Sequence, residues 1–162
     1  MSIVHPIKPV FDENSKILIL GSFPSVKSRE SMFFYGHPQN RFWRVMARIC
    51  NCELPDTVEE KKDMLLSNGI AVWDVIHSCE IVGSSDSSIK DVKVNDLGII
   101  LDCAKITAIF VNGKKAQALY KKYLEERTGI TAVCLPSTSP ANAAWSEDSL
   151  FEYWKKEIDK RR

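Results

Sequence analysis

Four short apolar segments, separated by helix-like patterns, constrain the fold of this chain more than any other feature. Each segment is dominated by aliphatic residues, as expected for strands that are covered on both faces. The predicted strands are residues 16–20, 70–73, 106–111 and 131–135. Because buried strands of this kind usually belong to parallel sheets with helical crossovers, the segments between them should be helical.

Helical periodicity is present in the intervening segments. The predicted helices cover residues 40–50, 58–67, 114–126 and 149–159, and a further helix is capped by Asn95 and runs to residue 103. This alternation predicts an α/β fold, a three-layer α/β/α sandwich with a central, mostly parallel four-stranded sheet. A length of 162 residues predicts a single domain over the whole chain, 1–162.

Charge and cysteine content exclude several classes of protein. The net charge is +1, so the chain lacks the strongly basic surface of a non-specific nucleic-acid binder. Any DNA contact must then come from a local basic patch, which we predict at Lys27, Arg29, Arg41 and Arg44. Five cysteines without a C-x-x-C pair predict reduced, mostly buried thiols, and neither a metal nor another cofactor is expected.

Hydropathy gives an expectation for the location of the protein. No apolar run approaches the roughly 18 residues of a membrane span, and the N-terminal segment has no apolar signal core. We therefore predict a cytoplasmic protein that has no membrane partner. No obligate protein partner is evident from the sequence.

The ends of the predicted strands point to a ligand site, because ligands of parallel sheets bind beyond the carboxyl ends of the strands. The four strands end in "GSFPS" (21–25), "WDVIHS" (73–78), "NGKK" (112–115) and "LPSTSPANA" (135–143). Polar loops are common in α/β proteins, but four such endings together predict one cleft. Ser22, Phe23 and Asn112 are predicted to face the ligand, and Ser25 and Lys114 to hold phosphate groups.

Two of these loops suggest contacts with nucleic acid. "GSFPS" has neither the Walker ending nor the G-x-G-x-x-G spacing, so a nucleotide-binding domain is the weaker alternative. In the fourth loop, two prolines stiffen a stretch that carries Ser137, Thr138, Ser139 and Pro140. A rigid loop of this kind can press into a DNA groove while its hydroxyls contact phosphates. A rigid surface turn is the alternative.

An aromatic segment favours nucleic acid over other ligands. Residues 33–43, "FFYGHPQNRFW", contain five aromatic rings, mixed with His37, Asn40 and Arg41 and interrupted by Gly36 and Pro38. We predict that Tyr35 stacks on an unpaired base, a contact that contributes about 1–3 kcal/mol. Phe42 and Trp43 are predicted to be core residues of the following helix. A loop that is merely anchored to the core, with solvated charges, is the alternative.

Together these segments resemble the uracil-DNA glycosylase superfamily. "YGHPQNRFW" (35–43) is similar to the F/Y-A-H/G-P-x-N-x-F-W segment of its mismatch-specific branch, and "LPSTSP" (135–140) to its DNA-inserting loop. The combined pattern is most similar to the hypoxanthine-DNA glycosylases. The resemblance implies a base-excision repair enzyme. Its substrate would be double- or single-stranded DNA with a deaminated base, which is flipped out and released by water attack on the N-glycosidic bond.

The resemblance also assigns residue roles. Tyr35 matches the residue that stacks on the flipped base, and Asp74 matches the position that reads the edge of the base. Two usual catalytic groups are absent, since Ser22 replaces an asparagine and Leu135 replaces a histidine. In the hypoxanthine branch an asparagine of the aromatic segment takes over, which is Asn40 here.

Several alternatives stay open at this stage. Asn40 or Asp74 could position the attacking water, because amide and carboxylate oxygens accept hydrogen bonds from water. Asn40 could instead cap a helix, and Asp74 could be a structural residue at a strand end. The enzyme could act on uracil or mismatched thymine, or the chain could be a non-catalytic DNA-binding module.

Overall fold

The computed structural model describes residues 2–162 of the chain. Its elements are β1 (Ile3–Val4), β2 (Ile17–Gly21), α1 (Val26–Ser31), α2 (Phe42–Ile49), α3 (Val58–Ser67), β3 (Ile70–Asp74), β4 (Ile76–Glu80), β5 (Lys90–Val94), α4 (Gly98–Leu101), β6 (Ala108–Asn112), α5 (Lys114–Tyr123), α6 (Glu125–Thr128), β7 (Val133–Leu135) and α7 (Glu147–Asp159). A 3₁₀ turn covers Asp86–Ser88. The predicted strands and helices are present, with ends shifted by a few residues.

The predicted parallel sheet is confirmed. Its strand order is β3-β2-β6-β7, and each neighbouring pair is parallel. Every residue of β2 and β3 is buried, which requires cover on both faces of the sheet. The register places Gly21 beside Asp74, so the first two strand ends meet at one point of the sheet edge.

Helices form the two outer layers of a sandwich. The crossover from β2 to β3 runs in one direction along the sheet, and those from β3 to β6 and from β6 to β7 run in the other. Right-handed connections therefore place their helices on opposite faces. Helix α5 packs on β6 and β7, while α7 packs on α2 and β7. The predicted α/β/α architecture is therefore correct.

A small antiparallel sheet of order β1-β4-β5 is absent from the sequence prediction. One residue separates β3 from β4, so the chain leaves the parallel sheet at Asp74 and turns directly into the second sheet. Strand β1 pairs with β4 and places Val4 opposite Ser78. Since β1 has only two residues and β5 is mostly exposed, neither provides an apolar pattern long enough to identify a strand.

The prediction that Asn95 caps a helix is wrong. Helix α4 begins later, at Gly98. Asn95 is buried, and its side-chain amide donates to the carbonyl oxygens of Asp74, at 2.9 Å, and Ile76, at 3.1 Å. A carbonyl at a bend between two sheets loses its ladder partner, and Asn95 supplies a replacement.

The prediction of mostly buried thiols is also wrong. All five cysteines are unpaired, but only Cys79 is buried, and Cys52 and Cys103 are exposed. Within residues 2–162, no group of His, Cys, Asp and Glu side chains is arranged to hold a metal ion. No helix in the same range is long and apolar enough to cross a lipid bilayer.

Candidate active site

A cavity of about 370 Å³ opens at the carboxyl ends of the parallel strands. All four predicted loops contribute to it, as does the aromatic segment. Its lining includes residues 21–25, Tyr35, Asn40, Asp74, Asn112 and residues 137–141. Ser84 and Asp86, from the loop around the 3₁₀ turn, complete one side and were not expected from the sequence. The predicted cleft is therefore present.

Tyr35 occupies an unusual position in this cavity. Its backbone has a φ of +52°, a left-handed conformation that is rare for a residue with a side chain. One face of its ring stacks on Phe42, with centroids 3.9 Å apart. Its hydroxyl is buried and has no hydrogen-bond partner among the described residues. Burial, and then the negative charge of Asp74, raise the pKa of Tyr35 well above its ordinary value, although the nearby side chain of Asn112 opposes the shift.

Several local contacts hold Tyr35 in this conformation. Ser25 caps α1 by accepting from the backbone N–H of Ser28. The Ser28 hydroxyl in turn accepts from the backbone N–H of Gly36, at 2.9 Å. On the other side, the Trp43 indole donates to the carbonyl of Phe34, at 3.0 Å. The predicted burial of Trp43 is confirmed, and the Ser25 hydroxyl already stabilises the loop.

Asp74 lies on the floor of the cavity in a pair that the sequence did not suggest. Its Oδ2 is 2.8 Å from Nε2 of His5, and the two side chains are 5% and 1% exposed. Nδ1 of His5 accepts from the backbone N–H of Ile7, at 3.2 Å. Because a backbone N–H can only donate, Nδ1 is unprotonated and the ring proton is on Nε2. His5 therefore donates from Nε2 to the carboxylate of Asp74.

Gly21 allows this carboxylate to approach the strand end. A β-carbon at that position would be 2.5 Å from Oδ1 of Asp74 and 3.1 Å from the hydroxyl of Tyr35. The first distance is too short for any side chain. The glycine is therefore required by the close approach of two functional groups.

Asn40 borders the same cavity and lies two residues before the start of α2. Its Oδ1 accepts from the backbone N–H of Phe42, at 2.9 Å, at the first residue of α2. This contact fixes the plane of the side-chain amide. A carbonyl oxygen has a second lone pair, and no described residue accepts from the Asn40 amide N–H groups. The alternative that Asn40 is the N-cap of a helix is wrong, because the N-cap of α2 is Arg41, which has no side-chain cap. Polar atoms of Asn40 remain available to a ligand.

The fourth loop is attached to the sheet through Asn112. Its amide Nδ2 donates to the hydroxyl of Thr138, at 3.0 Å, and its Oδ1 accepts from the Thr138 backbone N–H, at 3.1 Å. Thr138 is fully buried, so its side chain cannot make the predicted contact with DNA. Ser137, Ser139 and Pro140 remain at the cavity mouth.

Arg41 organises this loop from inside. Its guanidinium donates to the carbonyl oxygens of Ser139, at 2.8 Å, Asn142, at 3.1 Å, and Trp145. Its backbone N–H donates to a further carbonyl, that of Thr138, at 3.1 Å. Charge-assisted bonds of this kind are stronger than neutral ones. Arg41 therefore sets the shape of the loop, a role that the sequence did not reveal.

The predicted basic patch is mostly wrong. Besides Arg41, Arg29 donates to the carbonyls of Pro24 and Gly83, and Arg44 pairs with Glu147 at 2.8 Å. Lys27 is exposed and lies 3.7 Å from Glu30. Arg29 and Arg41 thus donate to backbone carbonyls, and Arg44 makes a partly exposed ion pair, whereas Lys27 is exposed.

The mouth of the cavity also carries a negative group. Asp86 accepts from the hydroxyl of Ser22, at 3.1 Å. Desolvation raises the pKa of this carboxyl above its ordinary value, although Ser22 and the charge of Lys115 oppose the shift. Lys114 is exposed at the first turn of α5, directly after the end of β6. Lys114 does not line the cavity, so Asp86 is the charged group at this side of the opening.

The geometry brings together an aromatic residue, an amide and a carboxylate around one half-enclosed space. The site residues predicted from the sequence, apart from Lys27 and Lys114, line this cavity. Two other histidines are near these segments in the sequence. His37 also lines the cavity, whereas His77 is exposed and does not. Such an arrangement can hold a planar polar molecule and present it to a water molecule.

Comparisons with known proteins agree with this geometry. Residues 8–158 match the model of the family described as the uracil DNA glycosylase superfamily. A hypoxanthine DNA glycosylase of Methanosarcina acetivorans is 38% identical over 146 residues, which cover 89% of this chain and 91% of that protein. A hypoxanthine DNA glycosylase of Methanosarcina barkeri is 38% identical over 110 residues, which cover 67% and 70% of the two chains.

A solved structure shares the fold as well. The solution NMR structure of a candidate uracil DNA glycosylase from Methanosarcina acetivorans superimposes with a TM-score of 0.81. It is 35% identical in sequence, and the match covers 96% of each chain. The similarity therefore extends over nearly the whole molecule.

Proposed function

This chain belongs to the uracil DNA glycosylase superfamily and is a monofunctional DNA glycosylase, and we propose that the base it removes from DNA is hypoxanthine. The names of the two Methanosarcina relatives support this substrate. The observation that carries the proposal is the half-enclosed cavity bordered by Tyr35, Asn40 and Asp74. A base inside a duplex cannot reach such a cavity, so it must first be flipped out.

Tyr35 and Phe23 would hold the flipped base. Flipping costs a few kcal/mol, and less for a mispaired base such as hypoxanthine in duplex DNA. Stacking on one aromatic ring recovers about 1–3 kcal/mol. Because the backbone of Tyr35 is fixed before DNA arrives, little further ordering is needed on binding.

Asn40 would position the attacking water. The bond between base and sugar breaks through a state that resembles an oxocarbenium ion. An amide cannot remove a proton at neutral pH, but its oxygen can accept from a water molecule and its N–H groups can donate. The hydrogen bond that Oδ1 accepts from the backbone N–H of Phe42 fixes the amide, and a fixed dipole stabilises developing charge without reorganisation. Asp74 then serves the base, since His5 already occupies one of its oxygens.

Residues at the cavity mouth would bind the DNA backbone. Ser22, Ser25, Ser137 and Ser139 offer hydroxyls, and Pro140 is exposed on the loop that Arg41 shapes. The exposed cations Lys27 and Lys114 can neutralise phosphates. A single domain acting on DNA in the cytoplasm is part of the same proposal.

A second substrate has specific support. The relative of known structure is described as a candidate uracil DNA glycosylase, so uracil is the alternative base.

A duplex with one deoxyinosine, deoxyuridine or undamaged deoxyadenosine is incubated with the protein, and the released base is measured. We expect release of hypoxanthine and retention of adenine. Release of uracil alone would replace the proposed substrate, and binding without release of either base would leave a non-catalytic module.

A further inference from the structure

Resting on the proposed function, we propose that Val82 is an apolar wedge, which enters the base stack of duplex DNA beside the nucleotide that is flipped into the cavity. Val82 begins a turn, residues 82–85, that follows β4 and reaches the mouth of the cavity. The wedge occupies space in the stack when the base leaves, so it favours the extruded state without contacting the reacting atoms. Val82 is thus a positioning residue for base release from duplex DNA.

Val82 is an aliphatic side chain in a polar loop. It is the most exposed large apolar side chain of residues 2–162, at 76% exposure, and the residues that follow it, 83–88, read GSSDSS. Proteins that unstack DNA insert apolar side chains between base steps, where the faces of the bases cover them. Single exposed valines are common on protein surfaces, but this one stands beside the opening that a flipped base must enter.

The turn that carries Val82 projects away from the rest of the protein. The backbone N–H of Ser85 donates to the carbonyl of Val82, at 3.1 Å, and closes the turn. Gly83 has a φ of +59°, which a glycine adopts without strain. A β-carbon at Gly83 would have no neighbour within 4 Å. The tip of the turn therefore extends into open space, where DNA can approach it.

The turn is held firmly from inside the loop. The hydroxyl of Ser88 accepts from the backbone N–H of Val82, at 2.8 Å, and donates to the carbonyl of Ser85, at 2.7 Å. Both ends of the turn are therefore attached to one side chain. A turn that is ordered before DNA arrives loses little conformational entropy on binding.

Helix α1 attaches the same turn to the wall of the cavity. The backbone N–H of Val26 donates to the hydroxyl of Ser84, at 2.9 Å, and the guanidinium of Arg29 donates to the carbonyl of Gly83, at 2.7 Å. Ser84 itself lines the cavity. The position of Val82 relative to the opening is therefore fixed by hydrogen bonds on two sides of the turn.

The loop at the other edge of the sheet has no comparable side chain. Strand β3, which leads into β4 and the turn, is one edge of the parallel sheet, and β7 is the other. Beyond β7, residues 136–144 are proline, alanine, serine, threonine and asparagine. Pro140 can press on a groove, whereas Val82 supplies a branched aliphatic group to the stack.

A wedge acts only where there is a stack to hold open. In a duplex, extrusion of a base breaks its pair and its stacking contacts, and this cost is lowest for bases that are already unpaired. In a single strand the base has no partner to leave, so the wedge contributes little. The effect of Val82 should therefore depend on the structure of the DNA and not on the bond that is cleaved.

Two variants of Val82 test the wedge. Val82→Ala removes the side chain beyond the β-carbon, and Val82→Leu keeps an aliphatic group of greater reach. Val58→Ala is the matched control, because Val58 is an exposed valine on α3 that does not line the cavity. Circular dichroism and thermal melting establish that each variant is folded.

Single-turnover release of hypoxanthine is measured from three DNA molecules that differ in stacking. The first is a duplex with one deoxyinosine, and the second is the same strand alone. The third is a duplex in which a pyrene nucleotide faces the deoxyinosine, so that the pyrene ring fills the stack and displaces the base.

We expect Val82→Ala to slow release from the first duplex by about tenfold, while release from the single strand changes by less than about threefold. Tenfold corresponds to about 1.4 kcal/mol, the scale expected for loss of two methyl groups from an apolar contact. Val82→Leu and Val58→Ala should stay within about threefold of the wild-type rate on the duplex. The pyrene duplex should restore Val82→Ala to near the wild-type rate, because the pyrene ring replaces the wedge.

Several results would overturn the wedge while the proposed function survives. They are an unchanged rate of Val82→Ala on the duplex, equal slowing on duplex and single strand, and failure of the pyrene nucleotide to restore the rate. If the wild type acts on duplex alone, the pyrene duplex takes the place of the single strand. A wild-type dimer that Val82→Ala converts to monomer in sedimentation would assign Val82 to a contact between copies and also overturn the wedge.

Failure of the proposed function would look different. A wild-type protein that releases uracil but not hypoxanthine changes the substrate, and the three DNA molecules are then compared with deoxyuridine in place of deoxyinosine. Release of neither base by the wild type would overturn both proposals.

Discussion

The floor and the rim of the cavity are built in different ways. The floor comprises Gly21, Asp74 and Asn112, which lie at strand ends, and Tyr35, which stacks on Phe42. Asp74 and Asn112 are held by contacts that cross long stretches of the sequence. The rim comprises Ser22, Ser25, Ser137, Ser139 and Pro140, together with Asp86, and its hydroxyls mostly bond within their own loops.

This difference implies a division of roles. Buried groups with fixed partners can discriminate atoms of a base, because an unmatched polar group there is costly. Exposed hydroxyls and charges contribute to binding of the backbone, which tolerates any sequence and depends on salt. Changes in the floor should therefore alter the rate of base release, and changes in the rim should alter DNA affinity.

The largest effect is expected from Asn40→Ala, at the wall between floor and rim. Loss of a fixed polar group at the reacting atoms should slow base release by at least about 100-fold. Loss of the hydrogen bond from the Phe42 N–H should cost only about 1 kcal/mol of folding free energy. Single-turnover release and thermal melting measure the two effects separately. Gln39→Ala, at an exposed neighbour, is the control, and near wild-type release by Asn40→Ala would exclude its catalytic role.

Gly21→Ala tests the close packing of the floor. The new methyl group would meet Oδ1 of Asp74 at 2.5 Å and displace it. We expect base release to fall by about tenfold or more, since a small misplacement of a reacting group has a large effect on rate. Gly98→Ala, in α4, is the matched control, because its nearest neighbour is the end of the Asp96 side chain. Unchanged release in a folded Gly21→Ala protein would show that the position of Asp74 is unimportant.

Arg41→Ala tests the support of the rim. Without the guanidinium, several carbonyls of residues 138–145 lose a charged donor, and the loop should become disordered. DNA affinity should fall by about tenfold, and folding free energy by about 1–3 kcal/mol. Arg48→Ala, which removes exposed ion pairs from α2, is the control. A loop with unchanged hydrogen-exchange protection in Arg41→Ala would contradict this role.

Lys114→Ala tests the cationic side of the rim. Loss of one phosphate contact should weaken binding by a few-fold and lower the slope of log affinity against log salt by about 1. Lys121→Ala, at the other end of α5, is the matched control. If wild type and Lys114→Ala have equal slopes of log affinity against log salt, the DNA backbone does not contact Lys114.

The smallest effect, of opposite sign, is expected from Asp86→Asn. Removing a negative charge at the cavity mouth should tighten DNA binding by about twofold at low salt. The pKa of Asp86 is raised, so the carboxyl is already neutral at a higher pH than usual. The gain in DNA affinity should therefore be present above the pKa of Asp86 and disappear as the pH falls through that pKa. Affinity is measured across pH and salt, with Asp102→Asn as control.

The sequence reveals the features that are local. Aliphatic runs identified the four parallel strands, and the aromatic segment identified Tyr35 and Asn40 together. The features it does not reveal depend on distant partners. His5 meets Asp74 across 69 positions, through a strand of two residues that has no pattern of its own. Arg41 appears as a surface charge in the sequence, yet its partners are carbonyls about 100 positions away.

The central claim is that an everted base occupies this cavity, and a structure of the complex tests it most directly. The Asn40→Ala protein is crystallised with a duplex that carries 2′-fluoroarabino-deoxyinosine, whose glycosidic bond resists cleavage. We expect the hypoxanthine ring in the cavity, stacked on Tyr35, with its polar edge facing Asp74. A hypoxanthine that remains stacked in the duplex, or one that binds outside the cavity, would contradict the account.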